Sequence, residues 1–171
     1  IDGDNVSVKV IPRLFDEVYK HGNPIIKEVF FNDKSLSKWL PAINKFSLKA
    51  EFVPDNIKGK NSADIALVIR AMQIFYERED IEEFYIVSSD SDFTGLAQHI
   101  ASKGKSVFGI GKHQTPESFR NACTEFLYVE DLLAPKEVVV ESENIPNQAQ
   151  EAKTFNLDTF SEKLFVQGYE F

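Results

Sequence analysis

Hydrophobic positions along the chain switch repeatedly between strand-like and helix-like spacing, which predicts alternating α and β elements around a mostly parallel sheet. Ile1-Asp2 reads as the end of a first strand, and since two residues cannot anchor a sheet, further residues are expected upstream. A helix is predicted from about Val6 to Lys20, closed by His21-Gly22, and then a buried strand from Pro24 to Phe31. Ser35 to Phe46 predicts a helix around Trp39 and Leu40, and Ser47 to Val53 a half-exposed strand. Ala63 to Tyr76 carries apolar residues at 65, 68, 69, 72, 75 and 76, a helical stripe. Phe84-Tyr85-Ile86-Val87 is the most core-like strand, and it ends at Ser88-Ser89-Asp90-Ser91-Asp92, where Ser and Asp can cap a helix from about Phe93 to Lys103. Ser106 to Ile110 predicts a strand, Pro116 to Arg120 a short helix with Pro near its first turn, and Glu125 to Val129 a final strand.

Past Leu133 the character changes. Residues 134–153 are rich in Glu, Asn, Gln and Pro and read as a linker or mobile arm. Residues 154–171 regain an apolar pattern through Phe155, Leu157, Phe160, Leu164, Phe165 and Tyr169, as a docking helix or the start of a further domain. One folded domain is therefore expected over residues 1–133.

Composition narrows this picture only slightly. An apolar fraction of 43% and a charged fraction of 27% are those of an ordinary soluble domain, and no apolar run approaches a membrane span. A lone cysteine, Cys123, excludes an internal disulfide and makes a cytoplasmic location the expectation. Cys123 opens an apolar strand and reads as a structural thiol, while His21, His99 and His113 share no zinc-type spacing with it. The net charge of −8 counts against a nucleic-acid partner until its distribution is considered. Residues 130–171 hold nine acids against three bases, which leaves eighteen against sixteen in residues 1–129. Lys58, Lys60, Lys112 and Arg120 then remain candidates for phosphate contacts.

The candidate chemistry lies in four aspartates. Asp2 falls at the exit of the first strand, Asp90 and Asp92 just beyond the strongest one, and Asp64 in the first turn of the helix after Gly59-Lys60. Ligands of open α/β sheets bind at the carboxyl ends of strands, near the point where strand order reverses, so all four are expected to converge there. Two carboxylates ~4 Å apart repel by roughly 4 kcal/mol at an effective dielectric near 20. A hard, oxygen-preferring cation such as Mg2+ or Mn2+ would resolve that repulsion, supply an activated water and offset charge on a phosphodiester. Each acid also has a plainer reading: Asp90 and Asp92 as helix caps, and Asp64 as a first-turn acid favoured by the helix dipole. Asp4 is either a further acid near the ion or the N-cap of the first helix, with the cap favoured. Asn5, Ser88 and Ser91 are polar neighbours suited to orienting a carboxylate or touching substrate, and Lys60 is either a phosphate contact or an exposed loop lysine.

Taken together, Asp2-Gly3-Asp4-Asn5, Lys60-Asn61-Ser62-Ala63-Asp64-Ile65-Ala66-Leu67, Ser88-Ser89-Asp90-Ser91-Asp92-Phe93 and Thr115-Pro116-Glu117-Ser118-Phe119-Arg120 resemble the NYN domain, a branch of the PIN-like ribonucleases, over about residues 1–132. The most similar group is the bacterial LabA-like, DUF88-type proteins. The resemblance implies a three-layer α/β/α sandwich and metal-dependent cleavage of single-stranded RNA. It also implies that Asp2, Asp64, Asp90 and Asp92 match the family's metal-binding acids, with Asn5 and Ser88 matching polar neighbours. Such domains are often followed by an OST-HTH (LOTUS) module, which would suit the linker and the C-terminal segment. Arg70 and Gln73 stand where relatives often carry acids, which bears on a second metal site, and Gly95 stands where many carry Pro.

Two other functions fit the same residues. The fold can persist as an RNA-binding or adaptor module with negligible turnover, a reading motivated by Arg70 and the acidic tail. Asp2-Gly3-Asp4 also imitates the Asp-x-Asp of haloacid-dehalogenase-like phosphatases, although Asn5 replaces the usual Thr or Val. No membrane partner is expected, and the sequence admits a homodimer without specifying one.

Overall fold

The computed structural model describes residues 1–32, 35–52 and 62–134. Five strands form there: β1 (Glu28–Phe31), β2 (Lys49–Phe52), β3 (Glu83–Val87), β4 (Ser106–Gly111) and β5 (Glu125–Tyr128). Six α-helices alternate with them: α1 (Ile11–His21), α2 (Leu36–Phe46), α3 (Ser62–Glu77), α4 (Thr94–Ser102), α5 (Glu117–Ala122) and α6 (Val129–Leu133). Short 3-10 turns at Val8–Val10 and Ser91–Phe93 lead into α1 and α4.

Every described strand pair is parallel. β1 lies beside β2, in register from Glu28 with Lys49 to Phe31 with Phe52, while β3, β4 and β5 form a second group in that order. Ile1–Gly3 joins the two groups. The Asp2 N–H donates to the Val87 carbonyl (3.0 Å) on one side, and on the other the Phe30 N–H donates to Ile1 O (2.9 Å) and the Gly3 N–H to Phe30 O (2.7 Å). The sheet therefore reads β2-β1-(Ile1–Gly3)-β3-β4-β5. From the centre the chain moves outward to β2, returns beside its own start as β3, and proceeds outward the other way. Strand order reverses at Ile1–Gly3, and ligands of open α/β sheets bind beside such a reversal, at the carboxyl ends of the strands.

Alternation along each strand sorts side chains to two faces. Val29, Phe31, Val87 and Ile110 pack with α1 and α2, with Trp39, Leu14 and Phe15 at the centre and Val129 and Leu132 of α6 at the margin. Phe30, Phe84, Ile86 and Val107 face the other way, against Leu67 of α3, Phe93, Leu96 and Ile100 around α4, and Phe119 of α5. Strands buried on both faces explain the near-continuous apolar runs Val29-Phe30-Phe31 and Phe84-Tyr85-Ile86-Val87. The result is an α/β/α sandwich.

Three boundaries differ from expectation. The first helix begins as a 3-10 turn capped by Ser7 and becomes α-helical only at Ile11, with Pro12 in its first turn. The strand expected from Pro24 starts at Glu28, since the proline lacks a ladder donor and Ile25 lies exposed. Val129, expected to close the last strand, instead opens α6. Lys58, Lys60, the linker after Ala134 and the C-terminal segment lie outside the described residues. No helix among the described residues is long and apolar enough to cross a membrane.

Candidate active site

The carboxyl ends of the central strands carry the site. Asp2 is buried, and both of its oxygens are engaged: Oδ1 accepts the Asn5 N–H (3.1 Å) and Oδ2 the Ser88 hydroxyl (2.7 Å). Ser88, also buried, in turn accepts the Asp90 N–H on its Oγ (3.1 Å), so a chain of hydrogen bonds links the first strand to the loop after β3. The Asp2 loop is fixed from the opposite face by Trp39, whose indole N–H donates to Gly3 O (3.0 Å). Gly3 is required there, because a Cβ would lie 2.8 Å from Phe30 O.

Burial raises the Asp2 carboxyl above the ordinary aspartate range, partly opposed by its bonds to Ser88 and Asn5. Asp64, half-buried in the first turn of α3, is pushed up to about 6. Burial is the main cause there, followed by the negative fields of Asp2, Asp90, Asp92 and Asp4. Asp64 thus feels, through space, carboxylates far from it in the sequence. Asp90 also caps the 3-10 turn, its Oδ1 accepting the Asp92 N–H (2.9 Å), so for this residue the capping role and membership of the acidic cluster coexist. Asp92 and Ser91 are exposed at the rim, as is Asn5.

Asp4 corrects one expectation: it does not cap the first helix, which Ser7 does. Its carboxylate instead accepts from the Asn32 N–H (3.1 Å), the Asn32 side-chain amide (3.2 Å) and the Ser35 hydroxyl (2.9 Å), tying the first loop to the start of α2. Lys112 is exposed, and its main-chain N–H donates to Ser89 Oγ (2.9 Å). Arg120 is only half exposed and is drawn inward, donating to the Tyr128 hydroxyl (2.8 Å) and lying 3.6 Å from Glu117. Arg70, where an acid was the family expectation, forms a bidentate pair with buried Glu28 at 3.0–3.1 Å. Cys123 donates to Phe119 O and burial pushes its thiol up to about 11, which suits a structural role. A cavity of about 370 Å³ opens at the other, amino-terminal end of the strands, beside His21, Glu28 and Tyr85, and contains none of the four aspartates.

An all-carboxylate donor set suits a hard divalent cation and no soft one. As the side chains stand, no group of three or more His, Cys, Asp or Glu among the described residues is close enough to hold an ion. The donor chemistry fits such a cation. Ser89, Trp39 and the Glu28–Arg70 pair escaped sequence reasoning. Ser89 was visible in its motif, but the other partners are joined only by the fold.

A parallel α/β/α sandwich of this kind is a PIN-like fold. The chain matches the NYN domain over residues 1–132 and belongs to that family, whose members are nuclease-like. A crystal structure of a protein of unknown function from Vibrio parahaemolyticus is similar in fold, with a TM-score of 0.60, at 15% identity over 71% of this chain and 79% of that one. No curated protein matches the chain.

Proposed function

We propose that this domain is a metal-dependent ribonuclease that hydrolyses phosphodiester bonds of single-stranded RNA at the Asp2, Asp64, Asp90 and Asp92 cluster, with Mg2+ or Mn2+ as the ion. The observation that carries this reading is Asp64, whose carboxyl is held at about 6 by burial and by the field of the other aspartates. Among the described residues no ion pair of Asp64 offsets that burial, and such a group gains most from a cation. PIN-like nucleases typically use divalent metal ions. When bound, the ion supplies charge neutralisation at phosphate and a water acidic enough to attack it. Asp2, Asp64, Asp90 and Asp92 are the residues to hold it, with Asp2 oriented by Ser88 and the Asn5 N–H. Asn5, Ser91 and Lys112 lie at the rim where substrate enters.

RNA cleavage by the wild type and by Asp90→Asn, each with Mg2+, Mn2+ or EDTA, tests the reading. Metal-stimulated cleavage is expected in the wild type, with a loss of ~100-fold or more in the variant. Equal cleavage by both proteins would remove these carboxylates from the reaction. The second reading, an RNA-binding module with little turnover, draws on the absence of a ready-made three-acid group among the described residues. Metal-independent RNA binding without cleavage of any strand would favour it.

A further inference from the structure

We propose that His113, stacked on Tyr128, is a platform for an unpaired nucleobase of single-stranded RNA beside the acidic cluster. The inference rests on the ribonuclease reading for the kind of ligand. β4 ends at Gly111, which is in register with Tyr128, the last residue of β5, so the loop leaving β4 and the Tyr128 ring meet at the same sheet edge as Asp2 and Asp90. The two rings lie 4.3 Å apart between centroids and 20° from parallel. Even so, the His113 side chain is 55% exposed, which leaves the face turned away from Tyr128 open.

Four contacts hold this platform rigid. His113 Nε2 lies 3.1 Å from Asp131 Oδ1, and its main-chain N–H donates to Glu130 Oε2 (3.0 Å). The Tyr128 hydroxyl accepts from Arg120, which makes Arg120 a positioning residue for the lower ring. The preceding residue, Lys112, is tied through its N–H to Ser89, the neighbour of Asp90. With strands ~4.8 Å apart, a platform over β4 and β5 stands roughly 5–10 Å along the edge from the end of β3, within reach of the nucleotide next to the scissile phosphate. Glu130 and Asp131 disfavour a phosphate on the platform itself. A neutral base stacks there without that penalty, while Lys112 stands one residue nearer the cluster. Stacking of this kind tolerates any base.

The test is binding of a single-stranded RNA carrying one 2-aminopurine, and of the same strand with that position abasic, in EDTA so that no cleavage occurs. Wild-type protein is expected to quench the 2-aminopurine. His113→Ala is expected to lose the quench and ~10-fold in affinity for the base-bearing strand, with affinity for the abasic strand unchanged, and His113→Phe to restore both. Undiminished quenching in His113→Ala, or an equal loss on the abasic strand, would overturn the proposal. Cleavage is read separately: a wild type that quenches but never cuts would sink the nuclease reading and leave the platform standing. Cutting without quenching would do the reverse.

Discussion

Asp64 shows what a single residue reveals and conceals. Its place after a lysine-bearing turn made it a candidate, but only the fold shows that it is half-buried and faces three other candidate acids and Asp4. Its shift has a definite consequence for stability. A carboxyl raised from 3.8 to about 6 binds its proton more tightly in the folded state, so the metal-free protein loses stability as pH rises from about 4 to about 6 and levels off above that. Asp64→Asn should remove this component, so thermal melting of the two proteins across that range should diverge with increasing pH, the variant being the more stable. Above pH 6, added Mg2+ or Mn2+ should raise the melting temperature of the wild type more than that of the variant. A constant difference between the two melting curves at all pH values would count against the cluster. Asp4 went the other way: its spacing suited a cap, but Ser7 takes the cap and the Asp4 carboxylate is claimed by Asn32 and Ser35. Nothing local in the sequence announces that claim.

At the level of elements, the strands were legible because burial on both faces leaves an unbroken apolar run, as at Phe84 to Val87; α3 forms where expected, but it packs through Leu67, Ala71 and Ile74 while Ile65, Ile69 and Tyr76 of the expected stripe are exposed. Ends were less legible. α6 is five residues long, too short for a period to show, and its Val129 extends the apolar run of β5. The close approach of β4 to the loop after β3 was hidden altogether. A Cβ on Gly111 would lie 2.5 Å from Ser88 O and 2.8 Å from Thr115 Oγ1, so glycine is what permits the strand to sit against the Ser88 loop. Gly111→Ala is expected to cost ~2 kcal/mol in chemical denaturation, within the range for overpacked interiors. It should also lower RNA cleavage by moving Ser88, and with it the bonds to Asp2 and Asp90. An alanine variant with unchanged stability and activity would show that the loop yields freely.

For the molecule as a whole, order along the sheet was the least accessible property, because parallel pairing joins residues far apart and the sequence carries no direct mark of which strands are neighbours. The family motifs implied a mostly parallel sheet without its strand order; the hydrogen bonds of Ile1–Gly3 supply that order. The Glu28–Arg70 pair is of the same kind, clamping the crossover helix α3 to the inner strand β1. Arg70→Met would strand a buried carboxylate beside Lys49, 3.8 Å away, and an expected loss of ~2 kcal/mol in urea unfolding reflects a guanidinium that is itself partly exposed. No change would mean that Lys49 replaces Arg70 completely. The position of Asp2, hydrogen-bonded to strands on both sides, bears on biosynthesis. A nascent chain releases Asp2 well before Val87, and the berth it occupies does not exist until Val87 has left the ribosome and found its place. The Asp2 site should therefore assemble late and all at once during translation.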